Sequence, residues 1–102
     1  MATLEELTDR IRSAAASGDP LTTSIKIDLR GEGLIHIAGG LVTNEDKLAD
    51  LVVTIALKDL TALGKGELDA TRAMMTGRLK LSDMGLAMKL RPQIQSLFSK
   101  AA

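Results

Sequence analysis

The chain has 102 residues, 45% hydrophobic and 25% charged, with 13 basic side chains balancing 13 acidic ones. That length bounds it to one domain, residues 1–102, around a single core, and the composition is that of a globular protein, not a disordered one. Cysteine is absent, which excludes a disulfide framework, a zinc–thiolate site and a thiol nucleophile.

In chain order, residues 3–16 read as an amphipathic helix. Thr3 and Glu6 make a capping box, and Leu4, Leu7, Ile11 and Ala14 recur on one face. Ser24 to Arg30 alternates strictly, with Ile25, Ile27 and Leu29 on one side and Lys26, Asp28 and Arg30 on the other, which is the pattern of a half-buried strand. Gly31-Glu32-Gly33 turns the chain into a returning strand, 34–38. Leu41-Val42-Thr43 is a short third strand before the turn at 44–47. Residues 50–57 are apolar at nearly every position and β-branched in the middle. They are expected to form a strand buried on both faces near the centre of the sheet.

A short helix follows over 58–63, with Leu60 and Leu63 as its apolar stripe and Gly64 or Gly66 at its end. Asp69 is placed to cap a second short helix, 70–76, which stops at Gly77. Residues 78–82 alternate again as a last strand. Ser82 or Asp83 then caps a final helix from Met84, with Leu86, Leu90, Ile94 and Leu97 on its apolar face. Pro92 lies inside that pattern, so a break is expected near Arg91, with Pro92 starting a separate last helix.

Two features of composition bear on function. Phe98 is the only aromatic residue, so the core must be built from Leu, Ile, Val, Ala and Met, with Met as the adaptable filler. Charge is uneven: residues 1–69 carry seven Lys/Arg against twelve Asp/Glu, whereas residues 70–102 carry six against Asp83 alone. The two halves either solvate and attract each other, or the basic half forms a rim for anionic head groups or a membrane surface. Nucleic acid is not expected as a partner, because no aromatic side chains are interleaved for stacking. No run approaches the roughly 18 apolar residues of a membrane span, and the first residues lack the apolar run of a signal peptide. A cytoplasmic protein is the default expectation.

The candidate chemistry is sparse. His36 has no nucleophile or metal-ligating partner pattern, and reads as a surface or rim histidine. The glycine pairs complete neither GxGxxG nor GxxxxGK[ST]. Glu45, Asp46, Asp50 and Asp59 lack the spacing of a calcium loop. Neither a metal nor another cofactor is expected. Four of the five methionines, Met74, Met75, Met84 and Met88, flank the last strand. They are either core filler or the wall of an adaptable apolar site, since an unfilled apolar cavity binds apolar ligands.

These residues also carry a resemblance. Asp50 stands before a buried strand, and Leu60/Leu63 stripe a short helix that leads to Gly64-Lys65-Gly66. Ala73-Met74-Met75 precede Gly77, Arg78-Leu79-Lys80-Leu81 make a basic-apolar strand, and MGLAMKL closes the run at 84–90. This arrangement resembles the sterol carrier protein type 2 family over roughly residues 24–98. The family often has Phe where this chain has Met74 and Met75. The end Ser99-Lys100-Ala101-Ala102 is not a peroxisomal Ser-Lys-Leu address, and a bacterial-type stand-alone member is expected.

The resemblance implies an α+β fold: a five-stranded, mostly antiparallel sheet with helices packed on one face, enclosing a hydrophobic tunnel. It implies non-enzymatic binding and transfer of fatty acids, fatty acyl-CoA, sterol-like or isoprenoid lipids. On this basis Ile35, Ile37, Leu60, Leu63, Met74, Met75, Leu79, Met84, Met88, Leu97 and Phe98 are expected to line the tunnel. Arg72, Arg78, Lys89 and Arg91 are expected to meet a head group or a membrane, and the segment after Pro92 to act as the gate. The alternative is an accessory or scaffold protein that presents hydrophobic intermediates, such as isoprenoid quinone precursors, to partner enzymes of lipid metabolism. An enzyme acting on acyl thioesters is a third reading, which no nucleophile–base pair supports.

Overall fold

The computed structural model describes residues 3–17 and 23–101, with side chains described over 3–16 and 23–96. Helix α1 (Leu4–Ser17) opens on the predicted cap, the Glu6 N–H donating to Thr3 Oγ1 over 3.2 Å. The strands β1 (Ile25–Asp28), β2 (Leu34–Ala38) and β3 (Leu41–Thr43) form a meander. Then come β4 (Leu51–Ile55), α2 (Leu57–Gly64), α3 (Ala70–Met75), β5 (Leu79–Leu81) and α4 (Met84–Ala101). The strands make one sheet in the order β3-β2-β1-β4-β5, with β1 and β4 parallel and the other neighbours antiparallel.

Register explains the alternation read from the sequence. Val42 pairs with Ile37, Ile37 with Ile25, and Ile25 with Leu51, so one row crosses four strands with apolar side chains throughout. The next row is Ile35, Ile27, Val53 and Leu81. All of these side chains share one face, because strand side chains alternate with period 2. Onto that face pack Leu7, Ile11 and Ala14 of α1, Leu57 and Leu60 of α2, Ala73 of α3, and Ala87 and Leu90 of α4, forming one core. Helix α1 also lies against α4 and β3, α2 lies against α4, and α3 against β5.

The parallel pair is locked at its start. Ser24 Oγ donates to Asp50 Oδ2 (3.2 Å) while the Asp50 N–H donates to Ser24 Oγ (2.9 Å), and the Leu51 N–H then donates to the Ser24 carbonyl (3.1 Å). Ser82 closes the other edge: the Val52 N–H donates to its Oγ over 2.9 Å. Asp83 is the residue that caps α4, accepting from the Leu86 N–H.

Three expectations are corrected. First, β4 lies beside the central strand β1 as expected, but it alternates between buried and half-buried residues instead of being sealed on both faces. Val52 and Thr54, on the outer face, keep partial exposure. Second, His36 is buried at 6% exposure. The segment 44–50 runs across the outer face, the His36 Nε2 pairs with the Leu48 carbonyl at 3.0 Å, and Lys26 pairs with Asp46 at 2.9 Å. Third, α4 runs through Pro92 without a break. Proline there leaves only the Met88 carbonyl without its helical donor. Met88 and Pro92 both lie on the exposed side of α4, so the carbonyl left without a donor is not enclosed in the core.

Candidate functional site

The inner face of the sheet and the segment 57–90 form the candidate site. Of the predicted lining residues, Ile35, Ile37, Leu60 and Leu79 are all buried in the core. Leu63 and Met74 are half-buried against it. Met75 and Met88 are largely exposed, at 83% and 60%, and Met84 is also exposed. Thus the predicted wall divides. Its aliphatic part is interior packing, and its methionines run from the edge of that packing outward. Leu97 lies on α4, but its side chain, like that of Phe98, falls outside the described residues.

Short, punctuated elements set this arrangement. Asp69 accepts from the Thr71 N–H and starts α3, so that Ala73 turns into the core and Met74 packs beside it. Gly77, at φ +77°, ends the turn after α3. In this left-handed region a residue with a Cβ is strained. The Gly77 N–H bonds the Met74 carbonyl (3.2 Å) and the Arg78 N–H bonds the Ala73 carbonyl (2.9 Å), which feeds the chain directly into β5.

Sequence reading did not find the residues that tie this segment to the sheet. Ala56 precedes α2 and has no capping side chain; Glu32, from the β1–β2 turn, supplies one, its Oε2 accepting from the Leu57 N–H at 3.3 Å. From the same turn Arg30 Nη2 donates to the Gly77 carbonyl at 2.6 Å. These pairings join residues 25 and 47 apart in sequence. No local pattern signals them. Leu57, read as a strand end, is the buried first residue of α2, and Leu68 joins the core edge unpredicted.

Arg72, Arg78, Lys89 and Arg91 are all exposed. The ion pairs among the described residues are Arg10–Glu6, Arg12–Asp9, Lys26–Asp46 and Lys47–Glu45, so these four cations are without a carboxylate partner there. Among the described residues, no group of three His, Cys, Asp or Glu side chains assembles that could hold a metal ion. Among them also, no helix is long and apolar enough to cross a membrane.

A family model described as the SCP-2 sterol transfer family matches residues 4–95. A protein named Sterol carrier protein 2 from Oryctolagus cuniculus is 46% identical over 54 residues, covering 52% of this chain and 10% of that protein. The matched stretch thus spans only a tenth of that relative's length. Among solved structures, the sterol carrier protein 2 of Aedes aegypti in complex with a C16 fatty acid, palmitate, superposes with a TM-score of 0.69. Its identity is 21%, over 90% of this chain and 94% of that one. A structure described as "UbiJ-SCP2 Ubiquinone synthesis protein" superposes with a TM-score of 0.56 at 16% identity, over 89% and 79%. At these identities the structural matches bear on the fold, and they have the same α+β architecture.

Proposed function

The chain belongs to the SCP-2 sterol transfer family, and from that premise we propose that it binds single-chain or sterol-like lipids between its sheet and its helices and carries them without altering them. The observation that supports this most directly is the position of Met74 and Met75. One is half-buried against the core and the next is exposed, so apolar side chains are present both at the edge of the interior and at the surface beside it. Met is suited to that place, because its unbranched polarisable side chain repacks around varied apolar shapes.

Shielding is sufficient as a mechanism. Exposing an acyl chain to water costs about 0.8 kcal/mol per methylene, so a chain of about 16 carbons faces on the order of 12 kcal/mol to leave a membrane unaided. A protein that encloses most of the chain removes much of that barrier and needs no nucleophile or cofactor. The basic side chains Arg72, Arg78, Lys89 and Arg91 would meet a head group or an anionic membrane surface during loading and release.

Solvent extraction of the purified protein followed by mass spectrometry tests this reading. About one lipid per chain is expected. An extract without lipid, together with no binding of a fluorescent fatty acid, would overturn it. A second reading, a scaffold that presents an isoprenoid lipid to partner enzymes, draws on the structural neighbour described as a ubiquinone synthesis protein. It is favoured if the extracted lipid is an isoprenoid and enzymes co-purify with the chain.

A further inference from the structure

The five-residue stretch from Leu29 to Gly33 is conformationally costly. Arg30 has φ +54°, followed by Gly31 at +92° and Gly33 at +124°. Glycine takes such angles freely, but for arginine they are unfavourable. Strain of this kind persists only where the surroundings fix it, and it clusters at binding sites. Here the turn's own bonds fix the backbone, Leu29 N–H to the Gly33 carbonyl (3.0 Å), Glu32 N–H to the Leu29 carbonyl (3.3 Å) and Arg30 N–H to Asp28 Oδ1, and the side chain adds a 2.6 Å bond from Arg30 Nη2 to the Gly77 carbonyl.

The position of that guanidinium matters. Leu29, its neighbour in sequence, is fully buried in the core beneath the helices. Gly77, its partner, lies between Met75 and Leu79, and its own N–H is bonded to Met74. Arg30 is therefore a cation fixed by hydrogen bonding beside the apolar wall. For Arg72, Arg78, Lys89 and Arg91 no side-chain hydrogen bond fixes the cation among the described residues.

Its guanidinium also makes no ion pair among the described residues. The two acids of the same turn keep their charges but face backbone donors: Asp28 Oδ1 accepts from the Arg30 N–H at 3.0 Å, and Glu32 Oε2 accepts from the Leu57 N–H. Arginine has five N–H donors, and the bond to Gly77 uses one. A neutral carbonyl is a weaker partner than an oxyanion, which binds guanidinium through two charge-assisted bonds.

We propose that Arg30 is the anion-binding residue of the lipid site, taking the carboxylate of an acyl chain that lies against Met74 and Leu79. This rests on the lipid-carrier reading and adds the head-group class to it. The Gly77 carbonyl occupies one donor of the guanidinium, so the carboxylate takes the remaining ones while the tie between the β1–β2 turn and the α3–β5 turn holds the cation in place.

The test compares palmitate with 1-hexadecanol, below their aggregation limits and without vesicles, on the intact chain, Arg30→Gln and Arg30→Gly. The unaltered chain is expected to prefer the acid by about tenfold, the worth of one charged hydrogen bond. Both variants are expected to lose that preference while keeping the affinity for the alcohol. Arg30→Gly relieves the strained φ, so its thermal midpoint serves as a control: lost preference at undiminished stability is binding and not folding. The proposal is overturned if the variants keep the preference, if acid and alcohol weaken together, or if Arg78→Gln abolishes the preference in place of the Arg30 variants. Equal binding of acid and alcohol by the unaltered chain also overturns it, with the carrier reading intact. If the unaltered chain binds neither, the carrier reading falls and this inference with it.

Discussion

Leu4 occupies the space that a side chain at Gly33 would need. A Cβ at Gly33 would lie 2.5 Å from Leu4 Cδ2, and Gly33 has φ +124°. The first residue of α1 is thus seated on the β1–β2 turn, with the movable tip of a half-buried side chain against the glycine. Gly33→Ala is expected to cost about 1–3 kcal/mol, mostly backbone strain, with a smaller part for displacing the Leu4 tip. Gly31→Ala is the comparison: its φ is also positive, but nothing lies within 4 Å of the added Cβ. It should cost about 1–2 kcal/mol. Chemical denaturation of both variants, and of Leu4→Ala/Gly33→Ala, separates the steric part, which the double variant should partly recover.

Burial separates the residues of the predicted wall. Ile27 is fully buried and pairs with Ile35 and Val53 in the middle of the inner face. Ile27→Ala should lower stability by about 2–5 kcal/mol, as a cavity forms in close-packed surroundings. Met75 is 83% exposed, so Met75→Glu should change stability by less than about 0.5 kcal/mol. It should nevertheless weaken binding of a fluorescent fatty acid, because a carboxylate then stands on the apolar surface. Urea titration and binding measured on the same two variants check this contrast. Unchanged binding in Met75→Glu would place the ligand elsewhere.

The sequence carried most of the sheet, because each strand needs only its own alternation to declare which face is inward. Ile25, Ile27 and Leu29 are buried as read, and the caps at Thr3, Asp69 and Asp83 all form. What was not legible depends on pairings distant in sequence. That β4 pairs with β1 in parallel, and with β5 on its other side, is encoded by no local pattern. His36 reads as exposed on its strand, and is buried only because the segment 44–50 folds over it. Arg30 is exposed as read, but its bond to Gly77 was hidden for the same reason, since the two residues are 47 apart in sequence. The exposure of Met75, Met84 and Met88 was equally hidden, since periodicity distinguishes the faces of a helix but not how far its neighbours extend over them.

Pro92 is the residue on which a local rule failed, and the failure is testable. Helix α4 passes through it unbroken, held by Ala87 and Leu90 in the core and by Ile94 beside them. Packing of that face on both sides of the proline outweighs the loss of one backbone bond, in line with the dominance of tertiary burial over local preference. Pro92→Ala restores the N–H and removes the ring's clash with the preceding turn. It is expected to raise stability by about 1–3 kcal/mol, read as a higher thermal midpoint. No gain would mean that α4 has already adjusted its backbone around the proline.

The unpaired cations of α4 lead to the last prediction. Lys89 and Arg91 are exposed, and Asp83 is the one acidic residue from Ala70 onward. If this surface meets a membrane during loading, transfer of a fluorescent fatty acid to vesicles should be faster when these contain anionic lipid. Raising salt from about 0.1 M to 1 M shortens the screening length from about 10 Å to 3 Å and should remove most of that difference. Lys89→Glu/Arg91→Glu should do the same at low salt, since each basic residue near an anionic surface contributes about 1 kcal/mol. Binding of the fatty acid in the absence of vesicles then separates the two roles: unchanged affinity assigns Lys89 and Arg91 to the membrane surface, and weakened affinity assigns them to the ligand's head group. Transfer that is indifferent to lipid charge, to salt and to the double reversal would leave Lys89 and Arg91 as solvated side chains, and would assign loading to diffusion through water.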